Sequence, residues 1–149
     1  FMYTWIDNII GGINETCCTN NVYEIFDIMG ICINKVDSNS ILLRNNDSLY
    51  IRDYIGREIV FIRNDLDIIL EKFILFHELA HALLHTELYE AAFNRNFINK
   101  DKLEKQANYF AFKMINIELD EIDLEGMTLE QISKYIGIPY KPLLQFIKL

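Results

Sequence analysis

The sequence predicts an α+β fold in which a short twisted sheet packs on a long helix and on a further helix that follows it. Three observations lead there. Short apolar runs bounded by turn formers crowd residues 31–62, two helix-period segments come after them, and 149 residues at 51% apolar composition suffice for one core without disulfides.

Taken in order, Val22, Ile25, Phe26 and Met29 fall at helical spacing between Asn21 and Met29, and Gly30 is a natural stop. Ile31 to Val36 alternates apolar and polar positions and then meets Asp37, Ser38, Asn39 and Ser40, so it reads as a strand. Ser48 to Ile55 and Glu58 to Ile62 read as two more strands, joined through Gly56 and Arg57 in hairpin fashion. Asn64 or Asp65 is placed to cap a long helix whose face runs through Leu66, Ile69, Leu70, Phe73, Ile74, His77, Ala80, His81 and Leu84. Asn94 to Asn99 is polar and reads as a loop. A second helix is expected from Asp101 or Lys102 to Ile115, with Leu103, Ala107, Phe110, Ala111 and Met114 inward.

Glu118 to Glu125 carries five carboxylates in eight residues and reads as a solvated connector rather than a metal site. Thr128 and Gln131 form a capping-box pair that opens a short helix ending at Gly137, with Pro139 and Pro142 set against its continuation. No repeat or linker divides the chain. The expectation is a single domain, 1–149, with a core of about 21–115 and a C-terminal helical extension over 116–149.

Composition narrows the function. A net charge of −8 argues against nucleic acid as a direct ligand and favours a basic protein partner. Cys17, Cys18 and Cys32 lack both the even number of a disulfide framework and the C-x-x-C spacing of a thiolate zinc site. Phe1 to Trp5 shows no signal-like pattern, and the most apolar run, Phe73 to Leu84, is cut by His77, Glu78 and His81. A cytoplasmic protein without membrane association is expected; oligomeric state is not legible.

The chemistry concentrates in His77-Glu78-Leu79-Ala80-His81, an H-E-x-x-H segment. Residues four apart on a helix share a face about 6 Å apart along the axis, so two imidazoles can hold one ion. A hydrolytic zinc site needs three protein ligands and one open position, and Glu78 is placed to take a proton from water and pass it to the leaving amine. The bland alternative is that these are satisfied core or surface groups. Burying three polar groups among Phe76, Leu79, Leu83 and Leu84 requires partners, which a metal supplies.

For the third ligand, His85 lies eight residues after His77, about 12 Å of helical rise, and suits a capping or outer-layer role better. Glu87 occupies the last position of the extended H-E-x-x-H-x-x-G-x-x-H pattern, but Leu84 replaces its turning glycine. Glu104, on the next helix, completes a His-His-Glu set, and Glu90 remains a substitute. Asn108, one turn beyond Glu104, could hold the outer N–H of a ligating imidazole, or simply pack the helix. Zinc is the expected ion, with manganese or iron compatible with the same donors.

FHELAHALLH (76–85) followed by LEKQANYFA (103–111), behind the strand-rich segment 31–62, resembles the ImmA/IrrE family of metallopeptidases. The resemblance covers about Asn21 to Met114. It implies a small zincin-like α+β domain, His77, His81 and Glu104 as ligands, and Glu78 as general base. It also implies helix-turn-helix repressors of phage or mobile elements as substrates, which suits an acidic chain. Ala80 stands where the family often has glycine, and Met114-Ile115-Asn116 lacks the Leu-Pro that often ends the second helix. A rival class is a non-catalytic domain that sequesters a repressor, against which the intact Glu78 speaks. Thr128 to Leu149 faintly resembles part of a helix-turn-helix, but its few lysines favour packing or partner docking over DNA. The substrate is expected along an exposed strand edge, Glu58 to Arg63, with Tyr54 or Tyr89 as candidates for oxyanion stabilisation.

Overall fold

A computed structural model describes residues 3–85, 100–117 and 124–148. The loop expected at Asn94 to Asn99 and most of the acidic connector lie outside the described residues. In chain order the elements are α1 (Thr4–Cys17), α2 (Val22–Met29), β1 (Ile31–Val36), β2 (Ser48–Arg52), β3 (Glu58–Arg63), α3 (Ile68–Leu84), α4 (Lys100–Ile115), α5 (Leu129–Ile136) and α6 (Tyr140–Lys148).

The helix–strand–hairpin order of the first half follows its sequence signals. The Asn21 side chain accepts from the backbone N–H of Tyr23 and Glu24 at the start of α2, and Gly30 at φ +72° ends it. β2 stops at Arg52, earlier than the expected Ile55. Asp53 captures the chain there: its Oδ1 accepts from the N–H of Ile55 and Arg57, and Gly56 turns at φ +85°. The sheet order is β1-β3-β2, with β3 parallel to β1 and antiparallel to β2. β3 is therefore the central strand. Glu58 to Arg63 cannot offer a free edge, because both its sides are already paired; the edge nearest in sequence is β2.

Val60 and Ile62, two apart on β3, share one face and are fully buried, and α3 packs across β2 and β3. α3 is enclosed on most sides, with Phe73, Leu75, Phe76, Leu79 and Ala80 all at 2% exposure or less. Its principal partner is α4, which contributes Ala107, Phe110 and Ala111 to the same core. Full burial of a large apolar side chain such as Phe76 or Phe110 is worth about 1.5–3 kcal/mol. The polar Glu71 is accommodated beneath α3 because Tyr23 Oη donates to it and Lys35 Nζ lies 3.0 Å from it, tying α2 and β1 to α3.

Three further elements depart from expectation. Asp67, not Asn64 or Asp65, precedes the first turn of α3, and it makes no side-chain cap. Asp65 is engaged instead by the Arg63 guanidinium at 2.8 Å. α1 was not signalled, yet its Ile6, Ile13 and Cys17 enter the core and Tyr109 Oη donates to its Asp7 at 2.8 Å. The prolines after Gly137 do not keep the chain from becoming helical again. Pro142 stands in the first turn of α6, where a backbone N–H has no intrahelical acceptor, so its missing donor costs nothing. The capping box at Thr128 and Gln131 forms in both directions, and Gly137 ends α5 at φ +82°.

Among the described residues no helix is long and apolar enough to cross a membrane.

Candidate metal centre

Helical spacing puts His77 and His81 on one face of α3, with their Nε2 atoms 3.1 Å apart. Glu104 on α4 completes a triangle: Oε2 is 3.2 Å from His77 Nε2 and Oε1 is 3.1 Å from His81 Nε2. One donor atom from each of the three lies within 4.8 Å of the others. Donors bonded to a tetrahedral zinc at 2.0–2.1 Å stand about 3.3 Å apart, close to the Nε2–Nε2 distance, and the carboxylate spans the pair with one oxygen facing each imidazole. Both imidazoles are largely covered while Glu104 is half exposed, which leaves one side of the cluster open.

The outer nitrogen of His77 is held by a chain of hydrogen bonds that ends on a backbone carbonyl. Lys105 C=O can only accept, so Gln145 Nε2 donates to it at 2.7 Å. Gln145 Oε1 then accepts from Asn108 Nδ2 at 3.4 Å, and Asn108 Oδ1 accepts from His77 Nδ1 at 2.8 Å. With the proton on Nδ1, a neutral His77 directs the lone pair of Nε2 toward Glu104 and His81. Asn108 therefore orients a ring, through α6, as well as packing its helix.

When their Nε2 atoms are protonated, His77 and His81 donate to the Glu104 carboxyl, which holds it far below the usual range against its burial. Burial alone would depress the His77 pKa, but the bond to Glu104 and the charges of Glu78 and Glu104 outweigh it and the value is raised. Burial holds His85 below the ordinary histidine value.

Glu78 is 8% exposed, and Ser48 Oγ, at the start of β2, donates to its Oε1 at 2.5 Å. A cavity of about 660 Å³ connects these groups, bordered by Ser48, Leu49, Tyr50, His77, Glu78, His81 and Glu104. Its walls include Phe73, Ile74, Pro139 and Pro142, so apolar surface surrounds the polar cluster.

The profile of the family described as IrrE N-terminal-like domain matches residues 29–148. The chain belongs to this family. It is similar to Metallopeptidase ImmA of Bacillus subtilis (strain 168), with 35% identity over 141 residues that cover 90% of this chain and 79% of the relative. No solved structure matches the chain. As an ImmA/IrrE-type protein the chain is a metallopeptidase with a small zincin-like α+β domain, and its chemistry requires a metal cofactor. The His77, His81 and Glu104 donor set fits that requirement in number, chemistry and spacing.

Of the sequence candidates, His77, His81, Glu78 and Glu104 come together at one cavity, and His85 borders it at the end of α3. Glu87, Tyr89 and Glu90 lie outside the described residues. Tyr54 is a correction: it sits at the tip of the β2–β3 turn, 97% exposed, and does not line the cavity. Tyr50 does line it, with its hydroxyl donating to Glu58 at 2.5 Å. Ser48 and Gln106 carry no local sequence signal; each acquires its partner only when the sheet or α4 docks on α3.

Proposed function

We propose that the chain is a zinc-dependent peptidase that cleaves a peptide bond in a basic helix-turn-helix repressor of a phage or mobile element, with His77, His81 and Glu104 as metal ligands and Glu78 as general base. The observation that carries this reading is the convergence of two imidazole Nε2 atoms, 3.1 Å apart, with the Glu104 carboxylate, whose two oxygens lie 3.1 and 3.2 Å from them, beside a buried carboxylate at an open cavity. The bound ion supplies Lewis acidity, polarising the scissile carbonyl and making an attacking water more acidic.

The protein's own groups do the rest. Glu78 accepts the proton of the attacking water and delivers it to the departing amine. Ser48 anchors the Glu78 carboxylate through Oε1 at the edge of the cavity. Asn108 keeps the His77 ring turned to the ion. An extended substrate segment runs along β2, the edge strand whose Leu49 and Tyr50 border the cavity. The acidic surface, at −8, draws a basic repressor toward the site and disfavours nucleic acid itself.

The test is incubation of purified zinc-loaded protein, wild type and Glu78→Gln, with a repressor encoded beside it. Wild type should cut at one site, and Glu78→Gln should retain zinc while losing about 10²–10⁴-fold in rate. Cleavage by both proteins would remove Glu78 from the mechanism. Stable binding without cleavage by the wild type would favour a sequestering domain.

A further inference from the structure

Of the two imidazoles in the cluster, His77 has its outer nitrogen accounted for by Asn108, whereas His81 turns its outer nitrogen to another histidine. His81 Nδ1 and His85 Nδ1 are 3.0 Å apart, and the far nitrogen of His85, Nε2, is 3.1 Å from Gln106 Oε1. His85 is 5% exposed and Gln106 is 7% exposed, so both sit where a polar group needs a partner.

The proton positions follow from the chemistry of the groups. A side-chain amide oxygen only accepts, so the hydrogen between His85 and Gln106 belongs to His85 Nε2. A neutral His85 then presents a bare lone pair at Nδ1. The hydrogen in the His81–His85 contact must come from His81 Nδ1, which in a neutral His81 leaves Nε2 unprotonated on the side of His77 and Glu104. We infer that His85 and Gln106 form a positioning relay that fixes the tautomer and ring orientation of His81, so that its Nε2 lone pair is presented to the metal.

This rests on the reading of His77, His81 and Glu104 as ligands, but it concerns residues outside that set. The relay also explains a feature of local structure. His85 ends α3 with φ −119° and ψ 34°, outside the helical region, yet it still faces His81 one turn back. Gln106, brought in by α4, holds it there. The two ligand histidines are thereby supported differently: His77 by an amide chain running to α6, His81 by a second imidazole held from α4.

Two measurements on the zinc-loaded protein test the relay. In long-range ¹H–¹⁵N spectra, His85 should be the Nε2–H tautomer, and a scalar coupling should cross from His81 Nδ1–H to His85 Nδ1. Zinc affinity, read by competition with a chromogenic chelator, should fall about 10–100-fold in His85→Ala, with stoichiometry and far-ultraviolet circular dichroism unchanged. His85→Gln, whose amide oxygen can accept from His81, should recover most of the loss. A His85 protonated at Nδ1, or a His85→Gln protein no better than His85→Ala, would overturn the relay while leaving the metal site standing. A wild-type protein that takes up no zinc would instead sink the ligand reading, and the relay as a metal-positioning device with it.

Discussion

At the scale of single residues, the His77–His81–Glu104 cluster depends on groups outside it. Asn108 is the clearest, because the chain from Lys105 C=O through Gln145 dictates which end of its amide faces His77. Asn108→Ala should weaken zinc binding by about 10–100-fold with little change in fold, and Asn108→Asp, which still accepts from Nδ1, should weaken it far less. Chelator competition on the purified variants reads both. His77, His81 and Glu78 are legible from sequence because α3 alone sets their spacing. Glu104 is legible only as one candidate among several, since a loop must close before it arrives. Ser48 cannot be read locally at all: it lies thirty residues before Glu78 and meets it only when β2 docks under α3.

At the scale of elements, two glycines of opposite character show where helices are under constraint. Gly137 ends α5 at φ +82°, and a Cβ there would lie 3.3 Å from Ile69 Cβ on α3. Gly137→Ala should therefore cost about 1–2 kcal/mol from the left-handed backbone alone. Gly12, inside α1, has open space around it, and Gly12→Ala should stabilise by about 0.5–1 kcal/mol. Urea midpoints measured side by side should move in opposite directions. The same glycine explains why α1 is quiet in the sequence. Ile6, Ile9, Ile10, Ile13 and Cys17 keep helical spacing, but Gly11-Gly12 interrupts the pattern and Tyr3 provides no side-chain cap. α6 is hidden in a similar way by Pro139 and Pro142, whose positions suit the start of a helix as well as the end of one. The paired segments of the sheet were legible, whereas its strand order was not, because alternation marks a face and says nothing about which neighbour lies on each side.

At the scale of the whole molecule, the fold works as a clamp that brings α4 against α3 and leaves β2 as the open edge of the sheet beside the cavity they share. The enclosing parts are fastened by polar contacts at their periphery. Tyr23 joins α2 to Glu71 of α3, Tyr109 joins α4 to Asp7 of α1, and burial with these carboxylate partners pushes both phenols up to about 12. The core also takes Ile6 and Ile13 from α1, and Ile138 and Leu143 from the C-terminal segments, so the site's geometry draws on packing from both ends of the described chain. Convergence of α3 and α4 on one ion is the claim on which the peptidase reading stands. Zinc titration of metal-free wild type, Glu104→Ala and Glu90→Ala, each against a competing chelator, tests it most directly. Expected is one equivalent bound by wild type and by Glu90→Ala, with Glu104→Ala weaker by more than the roughly 10–100-fold that loss of an outer partner costs. Wild-type affinity in Glu104→Ala, with binding lost in Glu90→Ala, would contradict it.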